Sequence, residues 1–354
     1  MTLPIEAEQQ ATEKGPRRQK VRKNRKGRAV LIAVATMVLV AAVVAGGYIV
    51  NLAHSFDSKS EKIQSAFPDE STRPRKMEVK SGPPAKNILL IGSDSRGQNV
   101  VDAERGTSSD QRSDVMMLVH IPAGRKNIYT ISLMRDLWVT IPGHGEAKLN
   151  AALALGGVPL VVQTVELIFN QRIDHVATIN FDGFKGLTEA LGGVPVTSSI
   201  AFSTGSYSYA AGPNMLSGAD ALAFVRERYA FADGDYQRVR NQQAFIRGVI
   251  AKTINAETLS NPITINNLVN VFSPFVAVDK TLDAAALGSL AVELQAIRPQ
   301  DMAMFTLPTR GTGTSADGQS IVLTDPDAIQ KISSALAEDK LGAYIAANNF
   351  LDGN

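Results

Sequence analysis

The 354-residue chain has no cysteine, which excludes disulfides, thiolate metal sites and a cysteine nucleophile, and leaves the redox compartment open. It has four histidines, His54, His120, His144 and His175, too scattered to suggest a shared metal or base. His120 lies inside an apolar run and reads as a core residue. No GxSxG elbow, HExxH pair or Walker loop is present, so serine-hydrolase, zinc-protease and P-loop chemistry have no foothold. Net charge is also scarce, at +2. It is unevenly spread: nine basic against three acidic residues precede Ala29, which puts that segment at +6 and the remainder at −4. A mildly acidic body argues against broad nucleic-acid binding.

One long uncharged run stands out. Ala29–Val50 carries 22 residues without a charge, enough to cross a hydrocarbon layer of roughly 30 Å as a helix. The basic residues lie on its amino-terminal side, so the positive-inside rule expects residues 1–28 in the cytoplasm and everything after Asn51 outside. A cleaved signal peptide competes with this single-pass anchor. Its apolar region is usually shorter, and Ile49-Val50-Asn51-Leu52 is a poor cleavage site. The basic tail also suits anionic lipid headgroups, so no nucleic-acid partner is needed. Residues 51–85 hold Pro68, Pro74, Pro83 and Pro84 among many charges and read as an extracellular stalk.

From residue 86 onward the pattern is that of one α/β domain, 86–354. Asn87–Gly92 reads as a buried strand feeding a long polar loop, and Val115–Ile121 and Asn127–Met134 read as a hairpin. Lys148–Leu155 and Pro159–Phe169 look helical on either side of Gly156-Gly157, His175–Asn180 looks extended, and Phe181–Leu191 looks helical. Ser198–Gly212 reads as a loop, Ser217 as a helix cap and Asp235 as the start of a long helix. Helices at Asn261–Phe272, Leu282–Ile297 and from Asp325, with a strand at Met302–Leu307, complete the domain. Phe181, Phe184, Leu187 and Leu191 read as ordinary core.

Charged residues fall where the apolar strands stop, at Asp94, Asp114 and Arg135, as expected of a site on the rim of a sheet. A second concentration lies at Val225–Gln243, where Arg226, Arg228, Arg238 and Arg240 surround Asp233 and Asp235. Taken alone this is a solvated charge run. Taken with the strand ends it suits a diphosphate, because guanidinium forks donate paired hydrogen bonds to phosphate. Two carboxylates, Asp94 and Asp114, suit a hard cation such as Mg²⁺. The combination suggests phosphoryl transfer. Arg226 and Arg228 lie two apart past a helix, and Arg238 and Gln242 share a helical face, whereas Arg240 points elsewhere.

The segments NILLIGSDSR, QRSDVMMLVHI, ISLMRD, KLNAAL, LGGVPV, LSGADALAFVRERY and DYQRVRNQQ follow one another from Asn87 to Gln243. In these motifs the chain resembles the LytR-CpsA-Psr (LCP) family of cell-wall glycopolymer ligases. Met134 stands where that family usually has proline, Asn241 occupies a variable position, and no added carboxy-terminal domain is expected. The fold class expected is a single extracellular three-layer α/β/α domain with a central mixed sheet, preceded by one transmembrane helix. The resemblance implies a phosphotransferase that moves a glycopolymer from a polyprenyl-pyrophosphate carrier to a peptidoglycan sugar hydroxyl. It implies Mg²⁺ on Asp94 and Asp114, and pyrophosphate held by Arg112, Arg135, Arg226, Arg228 and Arg238 with Gln242 in support. Lys148 and Arg96 are further candidates for that contact. Asp235 matches an aspartate important for activity, with Asp114 or Asp136 competing for the role of general base. The expected partners are the carrier-linked glycopolymer, peptidoglycan and membrane lipid, with no nucleic acid, and the lipid is expected in an apolar tunnel between sheet and helices. The alternatives are a polyprenyl-pyrophosphate hydrolase and a non-enzymatic membrane regulator whose basic tail binds DNA.

Overall fold

The computed structural model describes residues 47, 48, 50–76, 82–93, 113–253 and 261–350. Residues 1–28, most of the run Ala29–Val50, and Asp94, Arg96 and Arg112 lie outside the described residues. The chain divides into two compact units, Met1–Val50 and Asn51–Asn354. The second holds the α/β domain.

In chain order its elements are β1 (Glu61–Ile63), β2 (Lys86–Ser93), β3 (Ser113–Ile121), β4 (Ile128–Leu133), β5 (Trp138–Ile141), β6 (Gly145–Lys148) and α1 (Ala151–Phe169). There follow β7 (His175–Asn180), α2 (Phe181–Ala190), β8 (Val194–Ser198), β9 (Phe202–Thr204), β10 (Tyr207–Tyr209), β11 (Gly212–Leu216), α3 (Gly218–Arg226), α4 (Asp235–Thr253) and α5 (Pro262–Phe272). The last are β12 (Ala277–Asp279), α6 (Ala284–Glu293), β13 (Met302–Thr306), β14 (Thr309–Thr314), β15 (Ser320–Thr324), α7 (Pro326–Ala337) and α8 (Leu341–Ala347).

Seven strands form a mixed sheet in the order β1-β12-β7-β2-β3-β4-β13. β2 runs antiparallel to β3 and parallel to β7, and β4 runs antiparallel to β3 and parallel to β13. That pattern gathers the carboxyl ends of β2, β4, β7 and β13 and the start of β3 on one rim. Ser93 pairs with both Asn180 and Ser113, and Ser132 with Thr306.

Alternate residues of β2 and β3 serve opposite faces, as the pleat requires. Leu89, Ile91, Met116 and Leu118 enter a core shared with α1 and the carboxy-terminal helices. Leu90, Val115 and Met117 face α2–α5. Helices thus cover both faces, and the expected three layers are present. Helix α1 is long and apolar enough to span a membrane, but it is mostly buried within the domain and holds Glu166 inside it. Gly156 and Gly157 break it, with Gly157 at φ 65°, a conformation that favours glycine, so the two-helix reading on either side of them is apt.

Several expectations are corrected. Residues 61–63 of the supposed stalk are a strand of the main sheet, parallel to β12. Arg73, from the same segment, reaches buried Glu166 at 2.6 Å and also donates to the Ile173 carbonyl. Burial of that ion pair is feasible because Glu166 accepts further from the Ile173 amide. Lys148 ends strand β6, opposite Trp138, and the helix begins only at Ala151. The supposed loop 198–212 folds back as the β9–β10 hairpin. His120 is buried as expected, between Asn87 at 2.8 Å and Asp339 at 3.5 Å.

Candidate active site

Four local structures deliver charged groups to the shared rim. Asp114 is the second residue of β3 and is buried. Arg135 and Asp136 follow β4 in a turn closed by the Leu137 amide donating to the Met134 carbonyl at 3.1 Å. Met134, where proline was the family expectation, is fully buried, and the turn closes without it. Helix α3 starts at Ser217, whose amide donates to the Asp220 carboxylate at 2.6 Å, and delivers Arg226 as its last residue. The chain then turns extended at Glu227, whose Oε1 accepts from the amides of Arg228, Tyr229 and Ala230 and so fixes that loop. Helix α4 supplies Asp235 in its first turn and Arg238 one turn on.

The side chains converge. Asp114 Oδ1 accepts from Arg135 Nη1 at 2.6 Å and its Oδ2 from Arg226 Nε at 3.3 Å. Arg226 also lies over the Phe181 ring, 4.2 Å from its centroid. Asp136 faces Lys148 Nζ at 3.4 Å, Arg228 at 3.6 Å and Arg135 at 3.7 Å. Asp235 faces Arg238 at 2.9 Å and Arg228 at 3.7 Å. Among the described residues five cations thus meet three carboxylates, which leaves two positive charges uncompensated. Arg135 Nε and Arg238 Nε are buried N–H donors with no hydrogen-bond acceptor among those residues. Unsatisfied guanidinium donors beside surplus positive charge are what an anion completes.

The carboxylates differ in their hold on a proton. Burial pushes Asp235 above its ordinary pKa, and the hydrogen bond and charge of Asp136 add to the rise, while Arg238 opposes it. Burial also pushes Asp136 up, but its hydrogen bond with Asp235 and the charges of Arg135 and Lys148 outweigh that and hold it below its ordinary value. Two neighbouring acids driven apart in this way are the arrangement of a base and its partner. Burial and the nearby Arg135 charge pull the Arg238 guanidinium down.

Beside the cluster lies an apolar cavity of about 280 Å³ between the sheet and helices α2–α5. Leu90, Met117, Phe184, Leu187, Phe245 and Val249 line it, and Asp114, Arg226 and Gln242 stand in its wall. Phe181, Phe184 and Leu187, read from the sequence as ordinary core, therefore border the hollow, whereas Leu191 packs in the aromatic cluster beside α3 as expected of core. Gln242 donates to the Val225 carbonyl at 3.1 Å and braces the end of α3, one residue before Arg226. Helix α4 approaches β8 so closely that a Cβ on Gly248 would collide with the Pro195 carbonyl oxygen.

The structure separates the arginines of the 225–243 stretch. Arg226, Arg228 and Arg238 join the cluster, and Arg240 turns to Gln237 and Asp233 instead. For a hard cation the described residues offer Asp114, an oxygen donor at the cavity mouth. Asp94 directly follows Ser93, whose ladder partner Ser113 directly precedes Asp114. Among the described residues no group of three or more acidic or histidine side chains is placed so that it could hold a metal ion. One or two carboxylates with waters and phosphate oxygens is the usual ligand set of Mg²⁺, so the donor chemistry fits that ion. Phe181 under Arg226 was read from the sequence as core, and Tyr229 beside Arg228 was not singled out. Their only signal is an aromatic residue next to a functional motif.

The LytR_cpsA_psr family pattern matches residues 50–338. A polyisoprenyl-teichoic acid–peptidoglycan teichoic acid transferase, TagU, of Enterococcus faecalis is 35% identical over 176 residues, 49% of this chain and 56% of the relative. The chain thus spans little more than half the length of that protein. TagU of Bacillus cereus is 31% identical over 220 residues, 62% of this chain and 69% of the relative. The crystal structure of Bacillus subtilis TagV superposes with a TM-score of 0.61 at 22% identity, covering 73% of this chain and 98% of that one, a likeness of fold. On the extent of the family match, the chain belongs to the LytR-CpsA-Psr family.

Proposed function

We propose that the domain transfers a glycopolymer from a polyprenyl-pyrophosphate carrier to a sugar hydroxyl of peptidoglycan, joining the two through a phosphodiester. The observation that carries this reading is the apolar cavity opening onto surplus positive charge. A carrier of this kind has an apolar chain and, on each phosphorus, one ionised oxygen. The chain suits the hollow and the diphosphate suits the two uncompensated charges. The relatives' names, which describe transfer of teichoic acid from a polyisoprenyl carrier to peptidoglycan, point to the same reaction class.

In this reading the acceptor oxygen forms a bond to the polymer-side phosphorus, the bridging P–O bond breaks, and polyprenyl monophosphate leaves. Asp235 takes the acceptor proton; its raised pKa makes it the stronger base of the pair once ionised. Arg135, Arg226, Arg228 and Arg238 hold the diphosphate oxygens and stabilise the charge that develops on the leaving phosphate. Arg112, Arg96 and Lys148 add to that field, and Gln242 holds Arg226 in place. Mg²⁺, when bound by Asp94 and Asp114, would supply further charge neutralisation at the phosphates. Ala29–Val50 anchors the chain, with residues 1–28 in the cytoplasm and the domain outside, where peptidoglycan lies.

The test is transfer by the purified protein in lipid vesicles, with a labelled glycan-diphosphate-polyprenol donor, glycan-strand acceptor and Mg²⁺. Label covalently attached to the acceptor is expected. Label released only as free phosphorylated glycan would instead establish a hydrolase, and no turnover at saturating donor would remove the reading.

A further inference from the structure

Two open clefts border Asp136 and Arg228, and their lining residues differ: one is mainly basic, the other mainly acidic. One, of about 310 Å³, is lined by Arg135, Lys148 and Arg228 against Asp136 alone. The other, of about 690 Å³, lies between the 229–236 loop and the β14–β15 hairpin, and is lined by Asp136, Asp233 and Asp235 against Arg228 alone. The first offers three cations to an anion, whereas the carboxylates of the second are already paired, Asp136 and Asp235 within the cluster and Asp233 with Arg240, so it offers mainly acceptor oxygens. The second also contains Asp235, the base of the reaction proposed above, whereas the first does not.

At the edge of the acidic cleft stands Tyr229, 85% exposed, the most exposed large hydrophobic side chain among the described residues. It is not loose. Its hydroxyl accepts from Arg228 Nη2 at 2.6 Å, the Arg228 guanidinium lies 4.6 Å from its ring centroid, and its amide is held by Glu227. At the other end of the same loop, Tyr236 is fixed by its hydroxyl to Thr309 at the base of the hairpin. An exposed aromatic ring held rigidly over carboxylates and hydroxyls offers an apolar face for a sugar ring and acceptors for its hydroxyls.

We propose that this acidic cleft is the acceptor subsite, that it takes a neutral N-acetylhexosamine unit of a glycan strand, and that Tyr229 is its stacking platform. The inference rests on the transfer reading and adds where the second substrate sits. Arg228 then links the two substrates, touching the Tyr229 ring on one side and Asp136 and Asp235 on the other. A sugar on the ring presents its hydroxyl to Asp235, which lines the same cleft.

Two measurements on the intact protein test this. In the transfer assay, Tyr229→Ala is expected to raise the acceptor KM about tenfold while the donor KM moves by less than about twofold, and Tyr229→Phe restores the acceptor KM. Thr312→Trp, which crowds the cleft from the hairpin wall, is expected to raise the acceptor KM as well. Equal rises in both KM values, or an unchanged acceptor KM in Tyr229→Ala, overturn the assignment. Independently of turnover, saturation-transfer NMR with chitotetraose is expected to mark the sugar protons in the wild type and to lose that signal in Tyr229→Ala. No signal in the wild type overturns the subsite even if transfer occurs, and a Tyr229-dependent signal upholds it even if transfer fails.

Discussion

The two faces of the central sheet are built from the same kinds of residue and end in different states. On one face Leu89, Ile91, Met116 and Leu118 are packed to near-zero exposure against α1 and the carboxy-terminal helices. On the other, Leu90, Val115 and Met117 look into a hollow of about 280 Å³. A filled face contributes stability through close contacts, and a hollow forgoes some of them. Here the hollow borders the Asp–Arg cluster, so the contacts given up for stability are available to a ligand.

The largest effect expected from disturbing this contrast is in the charged cluster beside the hollow. Arg238→Ala removes a buried guanidinium that the proposed reaction sets against the diphosphate, and is expected to lower kcat/KM for transfer about 10³-fold. A loss below tenfold would mean that the diphosphate binds elsewhere. Next come two identical substitutions at adjacent residues of β2. Leu89→Trp overfills the packed face and is expected to cost about 1–3 kcal/mol in urea unfolding. Leu90→Trp enters the hollow and is expected to change stability by less than about 0.5 kcal/mol, yet to weaken donor binding at least about tenfold by occupying the lipid's space. If both variants lose stability equally, the two faces do not differ as described.

A third contrast lies within the cluster. In the proposed reaction transfer requires ionised Asp235, whose pKa is raised, so activity is expected to fall as pH drops through a value above the ordinary aspartate figure of about 3.9. Asp136→Asn removes the neighbouring charge that contributes to the rise, and the acid limb of the pH–rate profile is expected to move to lower pH. A limb that stays in place would assign the base to another group. The smallest effect is on stability. A carboxyl whose folded pKa is raised has no penalty below its unfolded pKa and acquires one as pH climbs toward the folded value. Asp235→Asn is therefore expected to raise the Tm at pH 7 and to lose that advantage below about pH 3.9 in thermal melts.

Much of this was legible in the residues. The apolar runs of β2, β3 and β4, the helix start at Ser217 and the first turn of α4 each carry a local signal that the fold keeps. The charged strand ends and the arginine stretch announced the cluster before any coordinates. The illegible parts have physical reasons. Three-residue strands such as β1 and β12 are too short to show a period, and β14, with threonines alternating with glycine and arginine, imitates a loop. Lys148 sits between a short strand and an apolar helix, so its side of the boundary was decided by pairing with Trp138. Phe184 and Leu187 follow the same helical spacing whether they meet a filled core or a hollow, because periodicity reports which face is apolar and not what fills the space beyond it.

The strand that residues 61–63 add to the sheet also sets a length. A stalk of residues 51–85, fully extended, could range over roughly 115 Å. Instead residues 51–59 are helical and Glu61 is already built into the sheet, so the path from Asn51 into the domain is about 15 Å. The segment after Asn51 therefore lends the domain almost none of the reach that a free stalk of the same length would give.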